Sequence, residues 1–175
     1  MNKAGFLCAI ALVAGGVTFG APALAEASAS LSPLGFKVFC IRNPNQCTGG
    51  GAASINLDDA GLSKLKRVNS EVNRSIRPRN DAKRDTWTLN PASGDCEDYV
   101  VTKRARLIKM GFPPSALRIA SAKTRSGVGH AVLIVRTSEG NFVLDNLTNA
   151  IKPMAQANLR FLAMSGANPK SWSAI

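Results

Sequence analysis

The sequence predicts an α+β fold, with helices first and an antiparallel sheet after them. Residues 58–76 and 96–110 carry apolar stripes at helical spacing. Strand-like runs follow at 117–123, 130–135 and 142–147, separated by turn-forming residues. Helices and strands thus fall in separate stretches rather than alternating, the pattern of N-terminal helices packed on an antiparallel sheet. No internal repeat or heptad run competes with this reading.

Residues 1–25 read as a cleaved signal peptide. Lys3 supplies a positive start, Ala4 to Gly20 form an apolar run, and Ala23-Leu24-Ala25 has the small-x-small pattern of a cleavage site. A transmembrane anchor is the other reading, but the run is rich in Gly and Ala and no stop-transfer charges follow it. Residues 26–175 then suit a single domain in a periplasmic or secreted protein. No stable membrane span is expected after cleavage.

The chain has 22 Lys and Arg against 11 Asp and Glu, a formal net charge of +11. Such a balance suits nucleic acid, anionic polymers, membrane surfaces or acidic proteins. The basic residues are scattered from Lys37 to Lys170 and aromatics are few, so a base-stacking platform is disfavoured and nucleic acid is not an expected partner.

Cys8 leaves with the signal peptide, and three cysteines cannot all pair internally. Cys40 and Cys47 flank the turn Ile41 to Gln46, and an oxidising compartment favours a disulfide there. On the chain-entropy estimate such a closure contributes roughly 2 to 3 kcal/mol. Cys96 is the cysteine left over.

Glu26 to Pro33 and the Gly49-Gly50-Gly51 stretch read as loose. Asp58 or Asp59 caps the first helix, whose stripe is Leu62, Leu65, Val68 or Asn69, Val72 and Ile76, ending before Pro78. Arg79 to Ser93 has no period and reads as a long loop. The second helix runs from Cys96 to Met110 and stops at Gly111. Leu117 to Lys123 alternates as a strand, and His130 to Val135 is apolar throughout, as in a strand covered on both faces. Ser138 to Asn141 has turn chemistry, and Phe142 to Leu147 returns.

Gly94-Asp95-Cys96 places a free thiol at the first position of a helix. The positive helix end there lowers a thiol pKa, and unpaired backbone N–H groups can face a developing oxyanion. The alternative is an inert buried cysteine. A thiolate nucleophile needs a base, and His130 is the one histidine in the chain. Asp145, interrupting an apolar strand, is the candidate to orient the imidazole. A tight turn at Glu139-Gly140 would pair Asp145 with Ile134, leaving His130 about 13 Å along the strand. A looser turn, a bulge or a two-residue turn at Thr137-Ser138 is therefore expected.

Glu97 and Asp98 beside the sulfur would raise its pKa through like charge. They can complement the helix dipole, with Asp95 and Asp98 forming a capping box. Alternatively Asp95, Glu97 and Asp98 offer oxygens to Ca²⁺, a hard cation that takes such ligands. The oxyanion hole would use the Cys96 N–H and one further donor, with Asn90 and Trp87 as upstream candidates.

Several blocks together resemble a known family: Phe39-Cys40 with Cys47, Val68 to Ile76, Trp87, Gly94-Asp95-Cys96-Glu97-Asp98-Tyr99, Gly129 to Leu133, Val143 to Leu147, and Ser171-Trp172. The chain resembles the bacterial transglutaminase-like cysteine proteinases, a papain/transglutaminase-related family that includes LapG-like periplasmic proteases. The resemblance implies a papain/transglutaminase-like fold with the nucleophile at a helix N-terminus. It also implies Cys96 as nucleophile, His130 as base and Asp145 as orienting acid, and calcium dependence through Asp95 and Glu97. An exported or cell-surface protein substrate cut at Ala-Ala sites and an inner-membrane regulatory receptor are the implied partners. Two other functions stay open: an acyl transferase or amidase of the transglutaminase type, and a catalytically silent calcium-dependent binding module. No organic cofactor is expected.

Overall fold

The computed structural model describes residues 31–81 and 85–175, so the signal-peptide reading lies outside the described residues. A helix that the sequence did not suggest comes first. α1 (Leu34–Arg42) buries Phe36, Phe39 and Cys40, while Leu34, Val38 and Ile41 are exposed. Apolar residues therefore lie all round it, and no polar face marks it in the sequence. The Cys40–Cys47 disulfide ties its end to the following turn, with Cα atoms 5.5 Å apart.

α2 (Asp59–Ser75) starts where Asp58 accepts the Gly61 N–H at 2.7 Å, and its stripe of Leu65, Val68, Asn69 and Val72 is buried. Beyond it, β1 (Arg77–Pro78) pairs in parallel with β2 (Ser93–Gly94). This short ladder closes the neck of the loop expected at 79–93 and fixes Gly94, two residues before the start of α3 (Cys96–Lys109). Tyr99 on α3 donates its hydroxyl to Ile76 O at 2.6 Å, joining the two helices.

Among the described residues the main sheet has six strands: β3 (Leu117–Lys123), β4 (Gly129–Thr137), β5 (Gly140–Leu144), β6 (Lys152–Pro153), β7 (Arg160–Ser165) and β8 (Trp172–Ala174). Their order is β6-β5-β4-β3-β7-β8, and every pairing is antiparallel. Leu133, Val135 and Leu144 join the core formed with the helices, whereas Val132, Ile134 and Val143 pack with Met164 and Phe161 on the other face. Cover on both faces explains why β4 reads as an unbroken apolar run. Among the described residues, three α-helices and an antiparallel sheet give the α+β fold. Among the described residues no helix is long and apolar enough to cross a membrane.

The β4–β5 turn corrects the expected register. Thr137 pairs with Gly140, so Ser138 and Glu139 form the turn, one residue beyond the turn expected at Thr137-Ser138. Leu133 faces Leu144, and extending that ladder would set Asp145 two residues from the partner of His130, roughly 7 Å along the strand. Diagonal neighbours at that spacing are within reach of long side chains. β5 also ends earlier than expected, because the Asp145 carboxylate accepts the Leu147 N–H at 3.0 Å and turns the chain.

Candidate active site

The start of α3 is held by an acidic latch. Asp98 accepts the Thr88 N–H at 2.6 Å on one oxygen and the Asp95 N–H at 3.2 Å on the other. Asp95 and Asp98 form the capping box. Gly94 packs against this carboxylate: an added Cβ would come within 2.7 Å of Asp98 Cγ. Gly94→Ala is therefore expected to displace Asp98 and destabilise the protein by roughly 2 kcal/mol or more, measured as a lowered denaturation midpoint.

Half-buried Cys96 donates its thiol hydrogen to Glu97 Oε2 at 3.0 Å. Burial, the Glu97 charge and that hydrogen bond push the thiol pKa far above its usual range, and the Ala131 N–H donating to the sulfur only partly opposes them. The helix start alone suggested a lowered pKa; desolvation and a carboxylate within hydrogen-bonding distance outweigh a helix-end effect of about 1 kcal/mol. Glu97 is itself pushed up to about 7 by burial and by a hydrogen bond with Asp95.

Because Ala131 touches the sulfur, the thiol sits beside the strand end that carries His130. His130 Nε2 lies 2.8 Å from Asp145 Oδ1, and both side chains are largely buried. Burial works to raise the Asp145 pKa, but the hydrogen bonds from His130 and the Leu147 N–H, with the charges of His130 and Lys103, together hold it below the usual carboxylate value. An ionised carboxylate only accepts, so Nε2 is the nitrogen that carries the proton facing Asp145, and Nδ1 is the one left to accept a proton.

Two side chains from α2 steady this arrangement. Asn73 donates to Asp145 O at 3.0 Å and Thr148 O at 3.2 Å, and Asn69 donates to Thr148 O at 3.1 Å. The Asp145 loop is thus clamped from the facing helix. Lys103, seven residues along α3 from Cys96, is fully buried, with its ammonium 5.9 Å from the Tyr99 ring centre and no hydrogen-bond partner among the described residues. Burial lowers its pKa to about 7, with Asp145 opposing. A cleft of about 310 Å³ opens here, lined by Trp87, Glu97, Ser121, Gly129, His130 and Trp172 among others.

Residues 26–175 match the family described as bacterial transglutaminase-like cysteine proteinase, BTLCP. The chain belongs to that family. Among solved structures, this proteinase-family chain is similar to calcium-bound LapG of Legionella pneumophila, at 28% identity and a TM-score of 0.54, over 61% of this chain and 65% of that one. It matches EGTA-treated LapG of the same organism at 28% identity and a TM-score of 0.53, over 59% and 62% of the two chains. The match thus spans less than two thirds of the LapG chains. No curated protein matches.

The oxyanion candidates in this family member are placed differently from what the sequence suggested. Trp87 lines the cleft, but its indole N–H donates to Asp85 at 2.7 Å. Asn90 points elsewhere: its backbone N–H donates to Thr102 and its side-chain oxygen accepts from Arg106. Arg106 is ten residues from Cys96, about 15 Å along a helix.

The carboxylates offer a partial fit to a cation. Asp95 and Glu97 are hydrogen-bonded to each other, and neither has a salt-bridge partner among the described residues. Both oxygens of Asp98 are occupied by backbone N–H groups. Among the described residues no three His, Cys, Asp or Glu side chains stand together as a ready metal cage.

Proposed function

We propose that this protein is a periplasmic cysteine endopeptidase acting on exported or cell-surface proteins, with Cys96 as nucleophile, His130 as general base and acid, and Asp145 as orienting acid. The buried His130–Asp145 hydrogen bond, one residue from the backbone N–H that touches the Cys96 sulfur, is the observation that carries the reading. The domain is residues 26–175, exported by residues 1–25.

His130 Nδ1 takes the thiol proton as sulfur attacks the scissile carbonyl, and Asp145 stabilises the imidazolium through Nε2. The proton then passes from Nδ1 to the leaving amine as the C–N bond breaks, leaving a thioester. Water adds to that thioester with His130 again accepting a proton, and C–S cleavage returns the thiol and releases the acid. The Cys96 N–H at the helix start is the donor suited to the oxyanion.

The resting thiol points its proton at Glu97, so the site needs a counter-charge there. Asp95 and Glu97 are the residues that would hold calcium, with backbone or solvent oxygens completing the shell. Calcium bound there would neutralise the carboxylates that keep the thiol protonated. The similar LapG of Legionella pneumophila is calcium-bound, which supports this assignment. An inner-membrane receptor as regulatory partner belongs to the same reading.

The deciding experiment incubates the mature protein with an extract of exported proteins, with calcium or EGTA, and sequences the new termini. New N-termini made with calcium, absent with EGTA and with Cys96→Ala, are the expected result. Products carrying an added primary amine at the new carboxyl end or at glutamine side chains would instead establish acyl transfer. Captured partners with no new termini would establish a binding module.

A further inference from the structure

Beyond the cleft, a second cavity of about 390 Å³ opens at the end of the sheet, lined by Lys123, Arg125 and Arg160 together with Thr124 and Asn158. No acidic residue among the described residues lines it. Lys123 and Arg160 are direct cross-strand partners on β3 and β7, an arrangement in which two like charges repel. None of the three cations has a carboxylate partner among the described residues. A folded chain tolerates such crowding more readily where an anion can sit between the charges.

The cavity adjoins the candidate active site through the strand register. Ala122 pairs with His130, and the next pair along is Lys123 with Gly129. Gly129 lines the cleft while Lys123 lines the cavity. The turn that lines the cavity is tied: the Gly127 N–H donates to Thr124 O at 2.9 Å and the Val128 N–H to Thr124 Oγ1 at 3.2 Å. Asn158 holds a positive φ of 54° at the opposite rim, a conformation uncommon outside glycine.

We propose that this cavity is a substrate subsite for a carboxylate side chain, resting on the peptidase reading above. The sulfur contacts Ala131, two residues from Gly129. An extended peptide advancing about 3.3 Å per residue would bring an Asp or Glu into the cavity about two to four residues from the scissile bond. The cations would then act in binding rather than in bond cleavage, and their charge would draw acidic segments toward the cleft.

The test uses a library of Ala-Ala-centred peptides with Glu, Gln or Lys at each flanking position, and wild type beside Arg160→Gln and Lys123→Gln. Wild type is expected to favour Glu at one position. Arg160→Gln should raise KM for that peptide about tenfold, the weight of one charge-assisted contact, while kcat and the Gln peptide are little changed. Added NaCl should shrink the preference in wild type. No preference for Glu in wild type, or equal losses for Glu and Gln peptides in Arg160→Gln, would overturn the subsite. If wild type cleaves nothing, the peptidase reading falls, and fluorescence anisotropy of the labelled peptides on Cys96→Ala decides the subsite. Tighter binding of the Glu peptide, lost in Cys96→Ala with Arg160→Gln, supports it; equal binding of Glu and Gln peptides refutes it.

Discussion

Replacing Cys96 with alanine is expected to lower peptide hydrolysis by about 10⁴-fold or more, because the covalent route disappears and only binding and oxyanion contacts remain. Asp145→Asn should cost about 10³- to 10⁴-fold in kcat. The amide keeps the carboxylate's shape, but it can offer Nε2 an N–H, which reverses the tautomer and leaves Nδ1 protonated when it must accept. The double variant should be little worse than Cys96→Ala, since groups acting as one unit do not add. Steady-state rates on one cleaved peptide, with melting curves to verify folding, check this series. An Asp145→Asn enzyme within a few-fold of wild type would remove Asp145 from the mechanism.

In EGTA, the protein is expected to lose stability as pH rises from 5 to 7, opposite to the usual behaviour of paired carboxylates. Glu97 rises from 4.5 to about 7 on folding, through burial and its hydrogen bond with Asp95. Asp98 rises from 3.8 to about 6, chiefly through burial. Both acids bind a proton more tightly folded than unfolded, so their contribution is fully present near pH 4 and is lost as pH passes 6 and 7, by a few kcal/mol in total. Lys103, lowered to about 7 by burial, acts in the other sense only above that pH, where the unfolded chain still holds its proton. Melting temperatures in EGTA at pH 5 and 7 measure the effect. Glu97→Gln should flatten the decline, and calcium should raise the melting temperature more at pH 7 than at pH 5. The same substitution should speed alkylation of Cys96 at pH 8, since it removes the carboxylate that holds the thiol proton. A wild-type melting temperature that climbs from pH 5 to 7 in EGTA would refute the account.

The parts of the fold that were legible in the sequence are those with local signals. Asp58 as a cap, the stripe on α2, the start of α3 at Cys96 and the full extent of β3 all follow from residue type and period. α1 escaped because its outer face is also apolar. β7 and β8 escaped because partial burial along Arg160–Ser165 gives no clean alternation, and β8 has three residues. At the site, residue types alone made Cys96, His130 and Asp145 the candidates, and the structure brings His130 and Asp145 into hydrogen-bonding distance. The clamp from Asn69 and Asn73 depends on contacts more than 70 residues away in the chain, which no local pattern encodes. The like-charge part of the raised thiol pKa was legible from Glu97 beside Cys96, whereas its larger cause, burial, becomes visible only in the fold.

Trp87 and Trp172 are the chain's only tryptophans. Both rings lean on Phe36, at 5.1 and 5.7 Å, and both line the cleft that holds His130. The protein therefore carries its own optical reporter. Its entire indole emission arises at the rim of the cleft that holds His130, with no distant tryptophan to dilute the signal. Occupancy of the cleft by an unlabelled, non-aromatic peptide can be followed in the native chain by fluorescence alone, before any bond is cut.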